Sequence, residues 1–243
     1  MKLRGKKALV TGGGSGIGLG IARSLAAEGA AVVICGRTEE KLRAAAGEVR
    51  SDPPVRWRVC DVADRAAVRA LFDWLDAGGL SPDIVVHAAG INVAPRTMKD
   101  VDPAAFDRVM AVNATGAFNV MHAALPAMRA RGDGLIINIV SVAGRRIFLP
   151  AGAPYSAAKF AQAALGGFVN AEAAAEGIRV TNIYPGEVNT PILDQRPEPP
   201  PAELRQRMLQ PEDFGELVVA LARLPKRALV SDLVITPTYM PQP

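Results

Sequence analysis

The chain has 243 residues, of which 49% are hydrophobic and 21% are charged. This length suits one α/β domain and is too short for a nucleotide-binding domain joined to a separate substrate domain. The net charge is +4, but Lys and Arg are scattered and aromatic residues make up only 5% of the chain, so we expect no nucleic-acid partner. A site for a multiply charged nucleotide explains the basic excess as easily.

The sequence shows no targeting or membrane segment. The first apolar run, at residues 8–10, is soon interrupted by glycines, and no run approaches the ~18 apolar residues that a membrane span needs. We therefore expect a cytoplasmic protein with no membrane partner. Cys35 and Cys60 fall in predicted buried strands, where free thiols usually act as small apolar groups, and no metal site is predicted.

Short apolar runs alternate with Ala-rich stretches along the chain. This alternation predicts an α/β fold with a single-domain, doubly wound, Rossmann-type parallel sheet over residues 1–243, with about seven strands and helices on both faces. The predicted strands are residues 8–10, 31–35, 55–60, 84–87, 135–140, 178–183 and 229–235. The predicted helices are residues 18–28, 39–50, 66–77, 103–131 and 155–176.

A proline-rich segment follows the sixth predicted strand. Residues 190–201 end in Pro-Glu-Pro-Pro-Pro, which is incompatible with a regular helix or strand. An irregular loop in this place is well positioned to cover a binding site. We therefore predict that residues 190–212 form a substrate lid within the single domain.

A glycine-rich turn joins the first predicted strand to the first helix. Such a turn brings backbone N–H groups and the positive end of a helix close to a pyrophosphate. Its position between strand and helix favours dinucleotide binding over an ordinary tight turn. The predicted contact residues are Gly12, Gly14, Ser15, Gly16, Ile17 and Gly18.

The end of the second predicted strand indicates which dinucleotide is bound. An acidic residue there would hydrogen-bond the ribose 2′-hydroxyl and repel a 2′-phosphate. Here Gly36 stands where the acid is expected, and Arg37 follows with a guanidinium suited to bidentate phosphate contact. The sequence therefore predicts NADP(H) in preference to NAD(H).

Asp61 and Val62 follow the third predicted strand, at the edge of the sheet where ligands of open α/β folds bind. Both are predicted cofactor contacts. Two roles stay open for the Asp61 carboxylate, which either accepts from the adenine amino group or caps the helix that follows.

Several motifs in order resemble the short-chain dehydrogenase/reductase family over essentially the whole chain. No single motif would suffice, but the set in register is specific. It consists of the Thr-Gly-x-x-x-Gly-x-Gly turn from Thr11 to Gly18, Asn113 in Val-Asn-Ala-Thr-Gly, Ser141, the Tyr-x-x-x-Lys pair Tyr155 and Lys159, and Pro185-Gly186.

The chemistry of carbonyl reduction explains the Tyr155 and Lys159 pair. A proton must reach the carbonyl oxygen, and a tyrosine with its ordinary pKa near ~10 is a poor base for the reverse reaction at neutral pH. Tyr155 and Lys159 are four positions apart, so both lie on one helix face and the ammonium can favour the tyrosinate. Tyr155 is therefore the predicted general acid/base.

The resemblance implies roles for the remaining predicted site residues. Ser141 would donate a hydrogen bond to the substrate oxygen, Lys159 would also hold the nicotinamide ribose, and Asn113 would hold a water that links Lys159 to solvent. The further implied cofactor contacts are Ala89, Gly90, Pro185, Gly186, Val188 and Thr190. The family usually has Asn-Asn-Ala-Gly after the fourth strand, whereas this chain has His87-Ala88-Ala89-Gly90.

The predicted function is therefore an NADP(H)-dependent oxidoreductase that interconverts a small-molecule carbonyl and a secondary alcohol. The alternative is a non-catalytic NADP(H)-binding redox sensor or regulatory subunit of the same fold, which would need only the glycine turn. Inward-facing Arg145 or Arg146 would favour a carboxylate-bearing substrate. The resemblance also implies a homo-oligomer, a dimer or a tetramer built on the two long helices.

Overall fold

Seven parallel strands form one sheet in the order β3-β2-β1-β4-β5-β6-β7. The computed structural model describes residues 1–196 and 198–240. The strands are β1 Lys7–Thr11, β2 Ala31–Gly36, β3 Arg56–Val59, β4 Ile84–His87, β5 Gly134–Ile139, β6 Ile178–Pro185 and β7 Asp232–Ile235. The order reverses between β1 and β4, and in open α/β sheets a ligand crevice forms at such a reversal, outside the carboxyl ends of the strands.

Helices cover both faces of this sheet. On one face, α1, α2 and α8 pack on a cluster that includes Val10, Ile34 and Val86. On the other, α3, α5 and α6 pack on a cluster that includes Leu9, Val85 and Ile136. The helices are α1 Gly16–Ala27, α2 Glu39–Glu48, α3 Arg65–Ala77, α4 Pro103–Met110, α5 Gly116–Arg131, α6 Ala153–Ala173, α7 Ala202–Arg207 and α8 Pro211–Ala222.

The predicted fold class is confirmed, with seven strands in the predicted places. Two helices, α7 and α8, were not predicted, and the last strand begins at Asp232 rather than at 229. The prediction that residues 190–201 lack regular structure is also partly wrong, because Pro191–Gln195 form a 3-10 turn. Of the predicted domain, residue 197 and residues 241–243 lie outside the described residues.

A layer of polar side chains crosses the middle of the sheet near its carboxyl end. The strand register aligns one residue from each of four neighbouring strands, and all four side chains are buried. Two residues earlier, the same face carries Leu9, Val85, Ile136 and Val180. The polar layer consists of Thr11, His87, Asn138 and Asn182. Polar chemistry is thus buried directly beneath the edge where the site lies.

The predicted helix over residues 103–131 contains a π-helical interruption. Helix α4 continues into the π segment Ala111–Thr115, and α5 follows it without a turn. A π turn contains one residue more than an α turn, and such turns occur often at functional sites. The segment carries Asn113, whose side chain is fully buried.

The described residues between 190 and 208 belong to a loop that is closed at its base. Val188 and Leu209 form a parallel bridge, in which the N–H of Leu209 donates to the carbonyl of Glu187 and the N–H of Asn189 donates to that of Leu209. The loop contains the 3-10 turn Pro191–Gln195 and helix α7. Within the described residues, none of the helices combines the length and apolar character that crossing a bilayer requires.

Candidate active site

A cleft of two adjoining parts opens at the carboxyl edge of the sheet. The larger part has a volume of about 360 Å³ and the smaller about 170 Å³. The residues that line both parts are Gly12, Ser15, Arg37, Lys41, Ala89, Gly90 and Ile91. The two parts therefore form one continuous groove that passes over the glycine turn.

The glycine turn brings its backbone against the end of β4. Gly12 has a φ of 66°, and a Cβ on it would lie 2.9 Å from the carbonyl carbon of Ala88 and from the N of Ala89, so only glycine fits. Every predicted residue of the turn lines the cleft. Gly12 and Ser15 line both parts, Gly14 the smaller, and Gly16, Ile17 and Gly18 the larger.

Two basic side chains, Arg37 and Lys41, lie at the end of the groove that follows β2. Arg37 is exposed, lines both parts of the cleft and makes no side-chain hydrogen bond or ion pair with any described residue. Lys41, four residues later on α2, lines the same walls. Gly36, the last residue of β2, directly precedes Arg37 and carries no acidic group. This end of the groove therefore suits an additional phosphate.

Asp61 and Val62 line the smaller part of the cleft, as predicted. The Asp61 carboxylate accepts a hydrogen bond from the N–H of Ala63 over 3.0 Å. The cap of α3 is instead Asp64, whose carboxylate accepts from the N–H groups of Ala66 and Ala67. The alternative in which Asp61 caps this helix is therefore wrong.

Tyr155 and Ser141 face each other in the larger part of the cleft. Tyr155 lies in the first turn of α6, and Ser141 follows β5, where its hydroxyl also accepts from the N–H of Ala143 over 3.1 Å. Burial of its hydroxyl raises the pKa of Tyr155 to about 12, against the influence of the Ser141 hydroxyl and the Arg196 guanidinium, which lower it. These two opposing groups favour the tyrosinate.

Lys159 is buried one helical turn after Tyr155 and also lines the cleft. Its Nζ lies 5.5 Å from the centroid of the Tyr155 ring and donates to the carbonyl of Ile139 over 2.9 Å and to Gln162 Oε1 over 2.7 Å. Burial lowers the pKa of Lys159 to about 7. The Tyr155 pKa is raised and not lowered as expected, because burial of the phenol outweighs the opposing effects of Ser141 and Arg196.

Asn113 lies behind the cleft and is not one of the residues that line it. Its side chain donates from Nδ2 to the carbonyl of Ile91 over 2.9 Å and accepts at Oδ1 from the N–H of Ile91 over 2.8 Å. A Cβ on Gly90 would lie 3.5 Å from Asn113 Oδ1 and 3.7 Å from Lys159 Nζ. Asn113 thus holds the loop after β4 beside Lys159.

The side chain of Thr11 forms hydrogen bonds with the start of the loop after β4. In this loop His87 and Ala88 stand at the positions where the sequence comparison expected asparagines. Thr11 Oγ1 accepts from the N–H groups of Ala88 and Ala89, each over 3.2 Å, and lies 3.2 Å from His87 Nδ1. Because the Thr11 oxygen already accepts twice, we assign its proton to the bond with Nδ1. The opposite ring nitrogen, Nε2, is buried without a described partner, and burial lowers the His87 pKa to about 3, with a smaller effect from Lys159.

The segment after β6 forms the opposite wall of the larger part of the cleft. Pro185, Gly186, Val188 and Thr190 all line it, as predicted. Thr190 also touches the glycine turn, since a Cβ on Gly16 would lie 3.2 Å from its Cγ2. This wall therefore connects the two ends of the groove.

Arg145 and Arg146, considered from the sequence as substrate contacts, do not line the cleft. The Arg145 guanidinium stacks 5.7 Å from the centroid of the Tyr184 ring. Besides Arg37, the arginines that line the larger part are Arg96 and Arg196. Sequence reasoning missed Arg96, Arg196, Lys41 and Gln162. Only Lys41 had a local signal, because it lies four residues after Arg37 on the same segment.

The comparisons with known proteins agree with this fold. The chain matches the short chain dehydrogenase family over residues 6–200. It is 34% identical over 237 residues to an uncharacterized oxidoreductase of Staphylococcus aureus, covering 97% of this chain and 98% of the relative.

Two solved structures are similar to it over nearly their whole length. An alcohol dehydrogenase of the archaeon Thermococcus sibiricus complexed with 5-hydroxy-NADP has a TM-score of 0.87 and 26% identity, over 98% of this chain and 99% of that one. A serine dehydrogenase complexed with NADP+ has the same TM-score and 27% identity, over 97% of this chain and 96% of that one. This chain therefore belongs to the short chain dehydrogenase family.

Proposed function

We propose that this protein is an NADP(H)-dependent oxidoreductase that interconverts a carbonyl and a secondary alcohol, with Tyr155 as general acid/base. The observation that carries the proposal is the convergence of Tyr155, Ser141 and Lys159 on the same groove as the glycine turn. A dinucleotide-binding sensor needs the turn but has no use for a buried lysine beside a tyrosine.

The groove has the features that a phosphorylated dinucleotide requires. The glycine turn lines the groove at the start of α1, where backbone N–H groups and the positive helix end would face a pyrophosphate, and Arg37 and Lys41 supply positive charge for a 2′-phosphate. Asp61 and Val62 would border the adenine, and the wall from Pro185 to Thr190 would border the nicotinamide. When bound, NADP(H) supplies or accepts the hydride.

Tyr155 transfers the proton at the substrate oxygen in this proposal. Ser141 lies beside it and stabilises the same oxygen as charge develops there. Lys159 lies under the Tyr155 ring, and its ammonium favours loss of the phenol proton whenever it is charged. Asn113 positions the loop at Gly90 beside Lys159, where the predicted water would connect this amine to solvent.

The preference for NADP(H) over NAD(H) rests on charge at the adenosine end. Arg37 and Lys41 face it, whereas Gly36 provides no carboxylate to accept from a ribose 2′-hydroxyl. The similar alcohol dehydrogenase and serine dehydrogenase were both solved with NADP-type molecules, which supports the same preference here.

Two finer features belong to the same proposal. Residues 190–212 act as a substrate lid within one domain, since Ile192, Leu193 and Arg196 line the cleft and the bridge between Val188 and Leu209 closes the base of the loop. The protein forms a homo-oligomer through α5 and α6, because these helices expose three phenylalanines. These are Phe118, Phe160 and Phe168.

The central experiment follows NADPH absorbance with a panel of ketones and alcohols, in the wild type and in Tyr155→Phe. We expect turnover in the wild type and a loss of kcat of about 100-fold or more in the variant, with cofactor affinity retained. Binding of NADPH without turnover of any compound, and identical behaviour of both proteins, would favour the sensor.

A further inference from the structure

We propose that the substrate carries a carboxylate, which binds to Arg96 with help from Arg196 at the Tyr155 end of the cleft. This inference rests on the proposed function and specifies the substrate class of the same site. It starts from the charge of the cleft wall. The charged residues that line the larger part are five bases and one acid, namely Arg37, Lys41, Arg96, Lys159, Arg196 and Glu187.

The single acid is already paired. Glu187 Oε1 accepts from Arg196 Nη1 over 2.8 Å, and Glu187 Oε2 accepts from the Tyr239 hydroxyl over 2.9 Å. Arg96, by contrast, forms no side-chain hydrogen bond or ion pair with any residue in the ranges 1–196 and 198–240. Its guanidinium therefore has donors available to a ligand.

Arg96 is held in place by the helix that carries Tyr155. Its carbonyl accepts from the N–H of Ala153, the first residue of α6, over 2.9 Å. The stem of its side chain lies on Gly152, where a Cβ would come within 2.6 Å of both Cβ and Cγ of Arg96. Gly152 has a φ of 83°, which also favours glycine. This wall is thus fixed two residues from Tyr155.

Arg196 is close enough to act on the same region. Its charge lowers the pKa values of Tyr155 and of Arg96, although burial is the larger influence on both. Glu187 already offsets the charge of Arg196, so the cation at this wall without a partner among the described residues is Arg96, and an anion bound to its guanidinium would offset that charge. A carboxylate also matches the planar donors of a guanidinium.

This anion site is distinct from the one expected for the 2′-phosphate of the cofactor. Arg96 and Arg196 do not line the smaller part of the cleft, where Arg37 and Lys41 lie. Their neighbours in the larger part include the apolar side chains Phe148 and Leu193. The occupant that fits has an apolar body, a carbonyl or hydroxyl near Tyr155, and a terminal carboxylate.

The kinetic test compares the 2-oxo, 3-oxo and 4-oxo pentanoates with their methyl esters, using NADPH. We expect at least one acid to exceed its ester in kcat/KM by about tenfold or more, which is the range for a hydrogen bond to a charged group. Arg96→Gln should reduce this acid-to-ester ratio about tenfold. Lys99→Gln, which removes an exposed charge three residues away and outside the cleft, should keep the ratio.

Equilibrium binding separates this inference from the proposed function. Calorimetric titration of the protein with NADP+ and either pentanoate or pentanamide requires no turnover. Tighter binding of pentanoate that is lost in Arg96→Gln and kept in Lys99→Gln supports the inference, even if no compound is reduced. Turnover of esters at least as fast as acids, or equal binding of the two probes, overturns it and leaves the oxidoreductase proposal intact.

Discussion

Lys159 donates from Nζ to Gln162 Oε1 over 2.7 Å, inside the protein and one turn along α6. Gln162 is itself fully buried and donates from Nε2 to Asn138 Oδ1 over 2.6 Å, and Asn138 donates to Asn182 over 2.8 Å. The ammonium is thus the end of a chain of amide groups that runs into the sheet. The side chain that accepts from this ammonium is a glutamine that belongs to none of the sequence motifs.

Two replacements of Gln162, by Leu and by Glu, should shift the pKa of Lys159 in opposite directions. Gln162→Leu removes an acceptor from a buried ammonium, so the pKa of Lys159 should fall further below about 7. Gln162→Glu places a carboxylate there, so the pKa should rise. The measurement is an NMR titration of labelled lysine amines, with the pH profile of kcat/KM as a second readout.

The control for Gln162 is Asn170→Leu, on the same helix. Asn170 donates to the carbonyl of Val180 and accepts from its N–H, far along α6 from Lys159. Both leucine variants should lose roughly 1 to 3 kcal/mol of stability from unpaired buried groups. Only the Gln162 variants should shift the titration, and equal shifts in all of them would refute a specific link.

A single acidic substitution should change the cofactor preference. A Cβ on Gly36 would meet only the Leu42 side chain, at 3.6 Å, so Gly36→Asp fits without strain. The carboxylate would repel a 2′-phosphate and accept from a ribose hydroxyl. We expect the ratio of kcat/KM for NADPH to that for NADH to fall about tenfold or more, and Arg37→Ala to lower it through a raised KM for NADPH.

Gly47→Asp is the matched control for this charge. Gly47 lies on α2 and does not line either part of the cleft. A Cβ added to it would have no described atom within 4 Å. Its variant should keep the wild-type preference. If Gly47→Asp and Gly36→Asp altered the ratio equally, long-range charge rather than the local 2′-phosphate site would explain the effect.

The buried imidazole of His87 should make the protein less stable in acid. The His87 pKa is about 3 in the folded protein and 6.5 in its ordinary state, so between these pH values the unfolded chain binds about one more proton at this site. The free energy of unfolding should therefore decrease as the pH falls from 6.5 towards 3. In His87→Asn, whose amide oxygen can still accept from Thr11, this decrease should be less steep.

Urea unfolding at several pH values between 4 and 7 measures that slope. His122→Asn provides the comparison, because it removes the chain's other histidine from an exposed position on α5. A similar loss of slope in both variants would contradict the assignment to the buried ring.

The proposed homo-oligomer should be weakened by charge on its apolar surface. Phe168 on α6 is 65% exposed, and Phe168→Glu would bury a carboxylate if a second copy packs there. We expect a lower mass by light scattering after size-exclusion chromatography. Met98→Glu, at a position that is 80% exposed and outside both helices, should keep the wild-type mass. A monomeric wild type would refute the oligomer directly.

Local patterns predicted the fold because each element carries its own signal. The runs that became β4 and β5 are apolar except for His87 and Asn138, and every residue in them is buried, as expected for strands covered on both faces. Helix α8 was missed although Phe214, Val218 and Leu221 have helical spacing, because the preceding prolines suggested a continuing loop. Gln210 and Asp213, which form its capping box, were the overlooked signal.

The site was only partly predictable, for a different reason. Residues such as Tyr155 and Lys159 are one turn apart on a helix, so their proximity follows from spacing alone. Arg96 and Arg196 are a hundred positions apart and line the same cleft only because the segments after β4 and after β6 both border it. Gln162 carries no motif, and its link to Asn138 depends on the seating of α6 on the sheet.

The π segment Ala111–Thr115 makes the length of this helix as important as its composition. Deleting one residue there would restore continuous α-helix and rotate α4 by about 100° relative to α5. Asn113 would then lose its two bonds to Ile91, even though every side chain of the site was still encoded. In this family member, a single-residue deletion in a segment remote in sequence from Tyr155 would thus be more disruptive than many substitutions near it.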